Sequence, residues 1–208
     1  RHRPTGAIRA LKLLAHAPGE RALERFRREA AAMAQLGARG VVAVHEPGAH
    51  GGRPWFTMDL VPGGSLRARL AKGALAWREA TSMVLEITRT LEVCHRLGLI
   101  HRDLKPENIL LDEGGAPRLA DFGSVRDLSA ETLTRTGSWV GTPQYMAPEL
   151  VSGGRADARS DAYSLGAVLF ELIAGRPPFS GKTLSAAAAS IRQGKVPDLP
   201  GTPRSLGT

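Results

Sequence analysis

The sequence is poor in the residues on which several classes of protein depend. Its 208 residues include one cysteine, Cys94, so no disulfide framework can form and a reducing compartment fits. The longest apolar stretch, residues 162–174, is interrupted by Glu171 and is too short to cross a bilayer. We therefore expect a cytoplasmic chain that makes no membrane contact of its own, while a membrane anchor elsewhere in a longer parent protein stays open.

Aromatic residues are also scarce, at 5% of the chain, although the formal net charge is +8. Surfaces that bind nucleic acids typically combine clustered basic residues with aromatic side chains that stack on bases. Here the lysines and arginines are spread over the whole length, and no aromatic residues interleave with them. The charge therefore predicts a solvated basic surface, and we expect no nucleic-acid partner.

The spacing of apolar residues predicts strands early in the chain and helices later. Strands are predicted over residues 7–14, 41–46 and 54–60, with a turn at residues 48–52 and a helix over residues 20–36. After Pro62-Gly63-Gly64 follow predicted helices over residues 77–97, 158–174 and 183–193 and a hairpin of residues 109–111 and 118–120. We therefore predict an α+β fold with a partial small lobe (1–61), a partial, mainly helical lobe (62–195) and a tail (196–208).

Two acidic motifs flank the predicted hairpin. Asp103 lies in the run His-Arg-Asp-Leu-Lys-Pro-Glu-Asn, and Asp121 opens the triplet Asp-Phe-Gly. Taken alone, Asp103 could be a loop or cap acid, and the triplet a simple turn. Together with Lys105 and Asn108, they offer a carboxylate for a hydroxyl proton, a cation for a phosphate and oxygen ligands for Mg²⁺. The pattern predicts a site that handles phosphate and magnesium.

Four further motifs lie elsewhere along the chain. Lys12 ends an Ala-Leu-Lys triplet, Glu29 lies on a predicted helix, Glu149 ends Ala-Pro-Glu, and Asp161 opens an apolar helix. With the two acidic motifs, this series resembles the eukaryotic-type (Hanks-type) protein kinase family, in its bacterial serine/threonine branch, from residue 5 to about residue 195. The resemblance implies the two-lobed kinase fold and transfer of the ATP γ-phosphate to protein serine or threonine hydroxyls.

The resemblance also implies roles for the residues of the acidic motifs. Asp103 would orient the acceptor hydroxyl and take its proton, and Lys105 would face the terminal phosphate. Asn108 and Asp121 would hold Mg²⁺, or Mn²⁺ in its place. A lysine at position 105 resembles the serine/threonine branch rather than the tyrosine branch.

Nucleotide-binding residues are implied in the small lobe. Lys12 and Glu29 would form the ion pair that grips the α- and β-phosphates of ATP. Met58 would line the back of the adenine pocket, and the backbone from Asp59 to Val61 would bond adenine. An exposed lysine on a strand edge, and apolar residues that only pack, remain alternatives at these positions.

The segment between the second acidic motif and Ala-Pro-Glu is rich in hydroxyls. By resemblance it is an activation segment, in which Arg102 would bind a phosphorylated side chain, Thr142 would bridge Asp103 and Lys105, and Glu149 would anchor the end. Asp161 would hold the backbone of the catalytic loop. The hydroxyls that we predict to be phosphorylated, unless this is simply a polar loop, are Thr134, Thr136 and Ser138.

The chain departs from the family at both ends. It contains no Gly-x-Gly-x-x-Gly run, which should lie before Arg1, and the last helices of the family should follow its end. We therefore expect a fragment, whose partners are protein substrates, a second copy of the chain among them. Two alternatives stay open: a kinase-like binding module without catalysis, and a small-molecule phosphotransferase of the same fold, although such enzymes lack the hydroxyl-rich segment that ends in Ala-Pro-Glu.

Overall fold

The computed structural model of the chain describes residues 6–13, 40–51, 53–122, 143–179 and 184–199. The described strands are β1 (Arg9–Leu13), β2 (Val44–His50), β3 (Arg53–Asp59), β4 (Ile109–Leu111) and β5 (Pro117–Leu119). The described α-helices are α1 (Leu66–Leu70), α2 (Trp77–Arg96), α3 (Pro148–Val151), α4 (Ala158–Ala174) and α5 (Leu184–Gln193), with single 3₁₀ turns at Pro106–Asn108 and Pro143–Tyr145. A small antiparallel sheet precedes a mainly helical region, which confirms the predicted α+β, two-lobed fold.

The small sheet has the strand order β1-β3-β2, and both pairings are antiparallel. In this register the Cα atom of Lys12 lies opposite Phe56, and that of Ala10 lies opposite Met58. The helix predicted over residues 20–36, which carries Glu29, lies outside the described residues.

The prediction of a turn at residues 48–52 was wrong at its first positions, because β2 continues to His50. A Cβ atom on Gly48 would lie 2.3 Å from the Trp55 ring, so only glycine fits in this strand position. Pro47 lies at an irregularity in the register, where the strand does not need its missing N–H. Both turn-forming residue types are therefore tolerated inside a strand here.

The helical region packs α2 and α4 together around one apolar core. Ile87 and Leu91 of α2 and Val168 and Leu172 of α4 are buried in it. The predicted ends of α2 and α4 are confirmed to within a residue: α2 stops before Gly98, and α4 runs from Ala158 to Ala174. Among the described residues, no helix has both the length and the apolar character that spanning a bilayer requires.

The hairpin β4–β5 joins the two parts of the molecule. Its strands pair Ile109 with Leu119, close to the predicted bounds. Gly63 donates its N–H to the Leu111 carbonyl at 2.9 Å, and Val42 donates to the Leu119 carbonyl, also at 2.9 Å. The hairpin is therefore attached both to the linker between the lobes, residues 60–65, and to the segment that leads into β2. Because the two acidic motifs flank it, the hairpin positions the candidate site.

Candidate active site

A buried carboxylate fixes the start of the predicted catalytic loop, residues 101–108. Asp161, on the first turn of α4, is 1% exposed and accepts the backbone N–H groups of His101 at 2.8 Å and Arg102 at 2.9 Å. The Nε2 atom of His95 lies 2.8 Å from the same carboxylate. Arg102 has a φ of 68°, a left-handed conformation that costs a non-glycine residue about 1 kcal/mol or more. The hydrogen bond from its N–H holds it there.

His101 connects this loop to the residues before the second acidic motif. Its fully buried ring places Nε2 3.0 Å from the carbonyl oxygen of Ala120, and it contacts the Phe122 ring with 4.6 Å between centroids. Burial lowers the pKa of His101, and the nearby charges of Asp161, Asp103 and Asp121 oppose this shift. Both site carboxylates therefore lie close enough to this ring for their charges to affect it.

Three of the predicted catalytic residues form one hydrogen-bonded cluster. The Nζ atom of Lys105 lies 2.7 Å from Oδ2 of Asp103. The Nδ2 atom of Asn108 donates to the Asp103 carbonyl at 2.7 Å and to Oδ2 at 3.1 Å. Asn108 is held in turn by the N–H of Ala120, which donates to its carbonyl oxygen at 2.9 Å. The cluster keeps the Asp103 carboxylate oriented and partly shielded from water.

The fourth predicted residue, Asp121, forms an ion pair with Lys12. Lys12 lies on β1 of the small sheet and Asp121 closely follows β5, so this pair bridges the two parts of the molecule. Asp121 has a φ of 60°, again a left-handed conformation for a non-glycine residue. The predicted partner of Lys12, Glu29, lies outside the described residues, and that pair stays a prediction.

Two oxygen-bearing side chains could hold a magnesium ion. Asn108 uses its Nδ2 atom on Asp103, which leaves Oδ1 as its ligand atom, and Asp121 supplies a carboxylate. Across the described ranges, no group of three or more His, Cys, Asp and Glu residues could form a complete metal cage. Mg²⁺ usually takes one or two protein carboxylates and completes its shell with waters and phosphates. The donor set fits an ion that arrives with a nucleotide.

The positions predicted to bind adenine lie at the end of β3. Met58 is partly buried and packs against the core. The N–H of Asp59 donates to the Ala43 carbonyl at 3.0 Å, and its Oδ1 atom lies 2.6 Å from Nε2 of His45. Val61 is half-buried. Packing explains Met58 as well as a nucleotide pocket does, so its role stays a prediction.

Of the predicted activation segment, the structure describes only the last part, from Pro143 onward. Glu149 lies on the first turn of α3, where its Oε1 atom accepts the Ser160 hydroxyl at 2.6 Å. Arg102 is exposed on the catalytic loop. The predicted residues that lie outside the described residues are Thr134, Thr136, Ser138 and Thr142.

A charged network that the sequence did not predict surrounds Arg67 on α1. The guanidinium donates to Glu107 at 2.8 Å and to Glu171 at 2.7 Å, and the Tyr145 hydroxyl contacts both Arg67 and Glu171. The signal was the acid that interrupts the apolar stretch of residues 162–174. A carboxylate on the buried face of a helix needs a partner, but the sequence does not say which cation supplies it.

Comparison with known proteins agrees with this geometry. Residues 1–202 match the family model described as "Protein kinase domain". The chain therefore belongs to the protein kinase domain family.

Its relatives include named bacterial kinases. It is 41% identical over 191 residues to "Serine/threonine-protein kinase PknL" of Mycobacterium tuberculosis, which covers 90% of this chain and 48% of that protein. It is 44% identical over 206 residues to "DNA damage-responsive serine/threonine-protein kinase RqkA" of Deinococcus radiodurans (95% and 30%). It is 40% identical over 197 residues to "Probable serine/threonine-protein kinase PknB" of Bifidobacterium longum (86% and 29%). The chain thus spans less than half the length of each of these relatives.

Proposed function

We propose that this chain is the catalytic part of an ATP- and Mg²⁺-dependent protein kinase that phosphorylates serine or threonine hydroxyls. The observation that carries the proposal is the arrangement around the hairpin β4–β5. The Asp103–Lys105–Asn108 cluster directly precedes β4, and Asp121, which pairs with Lys12, closely follows β5, so both groups lie at the open end of the hairpin, where Ile109 pairs with Leu119. The relatives named as serine/threonine-protein kinases support the choice of acceptor.

In the proposed reaction, the acceptor hydroxyl oxygen forms a bond to the γ-phosphorus while the bond from that phosphorus to the β–γ bridging oxygen breaks. ADP leaves, and the hydroxyl proton passes to Asp103. The hydrogen bonds from Lys105 and Asn108 fix the orientation of that carboxylate. Lys105 also supplies positive charge beside the transferring phosphoryl group.

Asn108 and Asp121 are the proposed magnesium ligands, and Lys12 is the proposed partner of the α- and β-phosphates. When held by Asn108 and Asp121, the metal would neutralise phosphate charge. The Lys12–Asp121 ion pair is consistent with these roles, because it brings a phosphate-binding cation to a metal-binding acid. Nucleotide phosphates would compete with Asp121 for Lys12. Met58, Asp59 and Val61 remain the proposed adenine contacts.

Regulation is proposed on the same residues that the resemblance marked. Phosphorylation of Thr134, Thr136 or Ser138, by a second copy of the chain, would place negative charge within reach of Arg102. Protein substrates are the proposed partners, and the use of ATP places the proposed reaction in the cytoplasm.

The decisive experiment compares Asp103→Asn with the unchanged full-length protein, using labelled ATP, Mg²⁺ and a generic basic protein as acceptor. Loss of the base should lower kcat by about 10²–10⁴-fold. Glu113→Gln is the matched control, because Glu113 is an exposed acid in the β4–β5 turn and should leave the rate unchanged.

The same assay separates the alternatives. Equal phosphate incorporation by the Asp103→Asn variant and the unchanged protein would contradict the proposed catalysis and favour a binding module. Phosphorylation of an aminoglycoside in preference to the protein acceptor would favour a small-molecule phosphotransferase.

A further inference from the structure

A guanidinium on α1 joins three parts of the molecule that are distant in the sequence. The Nε atom of Arg67 donates to Glu107 at 2.8 Å, and Nη1 donates to Glu171 at 2.7 Å. A third donor, Nη2, faces the hydroxyl of Tyr145. Because the guanidinium is planar and rigid, it fixes the relative positions of all three acceptors.

The three acceptors differ in burial. Glu171, at 4% side-chain exposure, and Tyr145, at 3%, are both buried, whereas the side chain of Glu107 is 41% exposed. Burial, together with the hydrogen bond to Glu171, raises the pKa of Tyr145, so its hydroxyl keeps its proton and donates it to Glu171. Glu171 is therefore the buried anchor of the network on α4, and Arg67 connects it to the more exposed Glu107.

The other two acceptors, Glu107 and Tyr145, lie in segments that the proposed reaction uses. Glu107 is in the 3₁₀ turn Pro106–Asn108, next to Asn108 and four residues after Asp103. Tyr145 is in the 3₁₀ turn Pro143–Tyr145, in the last part of the predicted activation segment, shortly before Ala-Pro-Glu. The Nε atom of Arg67 thus bonds the catalytic loop, and Nη2 bonds the 3₁₀ turn Pro143–Tyr145.

We propose that Arg67 is a positioning residue, which holds the catalytic loop through Glu107 and residues 143–151 through Tyr145 in one fixed geometry. This inference rests on the proposed function, because it assigns these contacts to the placement of the acceptor protein before Asp103. A displacement of about 1 Å in such a site is enough to lower a rate by about two orders of magnitude.

Hydrogen exchange of the full-length protein, without ATP or acceptor, tests the geometry independently of activity. Arg67→Gln should speed amide exchange about tenfold in residues 105–111 and in residues 143–151. Arg69→Gln is the matched control. Arg69 lies on the same helix, where it bonds the Gly73 carbonyl at 3.2 Å and pairs with Glu79 at 3.6 Å, so its loss should leave both segments unchanged.

Kinetics with a peptide acceptor test the consequence. Arg67→Gln should lower kcat/KM for the peptide about tenfold and leave KM for ATP unchanged. Arg67→Lys should recover only part of this loss, because an ammonium keeps the charge but not the fork of donors. A residue that only stabilises the fold would not lower kcat/KM for the peptide while leaving KM for ATP unchanged.

Single-arm variants keep the test decisive if Arg67→Gln does not fold. Glu107→Gln should lower kcat/KM for the peptide about threefold, as expected for one hydrogen bond, and Tyr145→Phe, which removes the bonds to both Arg67 and Glu171, should lower it by at least that factor. Since both act through Arg67, the double variant should lose less than the product of the two single losses.

Additive effects in the double variant, or exchange equal to that of Arg69→Gln, would overturn the inference. If the unchanged protein transfers no phosphate, the proposed function fails, and the exchange measurement alone decides the role of Arg67.

Discussion

At the residue scale, His101 shows how the site depends on one buried neutral ring. Its Nε2 atom donates to the Ala120 carbonyl, so Nδ1 is the unprotonated nitrogen. Within the described part of the chain, Nδ1 is buried and has no hydrogen-bond partner. A second proton would therefore create a buried donor without an acceptor, which burial in a low-dielectric interior penalises despite the carboxylates nearby.

This ring should make stability depend on pH. The unfolded chain binds a proton at His101 near pH 6.5, whereas burial lowers the pKa of the folded ring below that value. As the pH falls below about 6.5, the unfolded state gains protons that the native state does not, and the free energy of unfolding should fall by up to about 1.4 kcal/mol per pH unit. Urea unfolding of the unchanged protein and His101→Phe at several pH values between about 5.5 and about 7.5 should show this slope reduced in the variant, whatever its overall stability.

The control for this experiment is His50→Gln, at an exposed position at the end of β2. It should keep the slope of the unchanged protein. An equal slope in His101→Phe, or an NMR titration of the His101 ring at or above about pH 6.5 in the folded protein, would contradict the interpretation.

At the scale of the element, α4 owes its bounds to local residues at both ends. The Asp157 side chain accepts the N–H groups of Arg159 and Ser160, and the Ser160 hydroxyl accepts the N–H of Asp157, which completes a capping box. The helix ends at Gly175, whose φ of 70° suits glycine. Sequence alone could therefore predict both ends of this helix.

Two glycines on this helix predict opposite effects of the same substitution. Gly166 lies inside α4, and a Cβ atom there would meet no described neighbour within 4 Å, so Gly166→Ala should raise the free energy of unfolding by about 0.5–1 kcal/mol. Gly175→Ala should lower it by about 1 kcal/mol, because alanine is strained at positive φ. Urea unfolding measures both, and a destabilising Gly166→Ala would show that this face of α4 is covered.

Other elements could not be predicted in this way, since tertiary contacts decide them. Gly48 looked like a turn residue because only the Trp55 ring beside it explains a glycine within a strand. The short helix α1 follows Ser65, whose hydroxyl accepts the Ala68 N–H, but its five residues are too few to show a period. Motifs predicted which residues belong to the site, whereas the contacts of Arg67 depend on three segments meeting in space.

At the scale of the whole molecule, the two lobes meet on the hairpin β4–β5. The linker makes two hydrogen bonds with Leu111. The Gly63 N–H donates to the Leu111 carbonyl, and the Leu111 N–H donates to the Gly64 carbonyl at 2.8 Å. The segment before β2 contributes two more at Leu119, which accepts the Val42 N–H and donates to the Gly40 carbonyl at 2.7 Å. Because the acidic motifs flank the same hairpin, its position sets the distance from Lys12 to Asp121.

Gly63 is the most constrained point of this junction. A Cβ atom there would lie 2.4 Å from the Leu111 carbonyl oxygen, which is backbone and cannot move aside. Gly63→Ala should therefore lower the free energy of unfolding by about 1–3 kcal/mol, as expected for overpacking. It should also raise KM for ATP, because the linker continues directly from Asp59 and includes Val61, two of the proposed adenine contacts. Urea unfolding and steady-state kinetics check both effects against Gly114→Ala, where the nearest atom is a side-chain oxygen of Asp112 at the longer distance of 3.4 Å. If the two variants are equally stable, the linker is not packed tightly against β4, and the hairpin does not connect the two lobes.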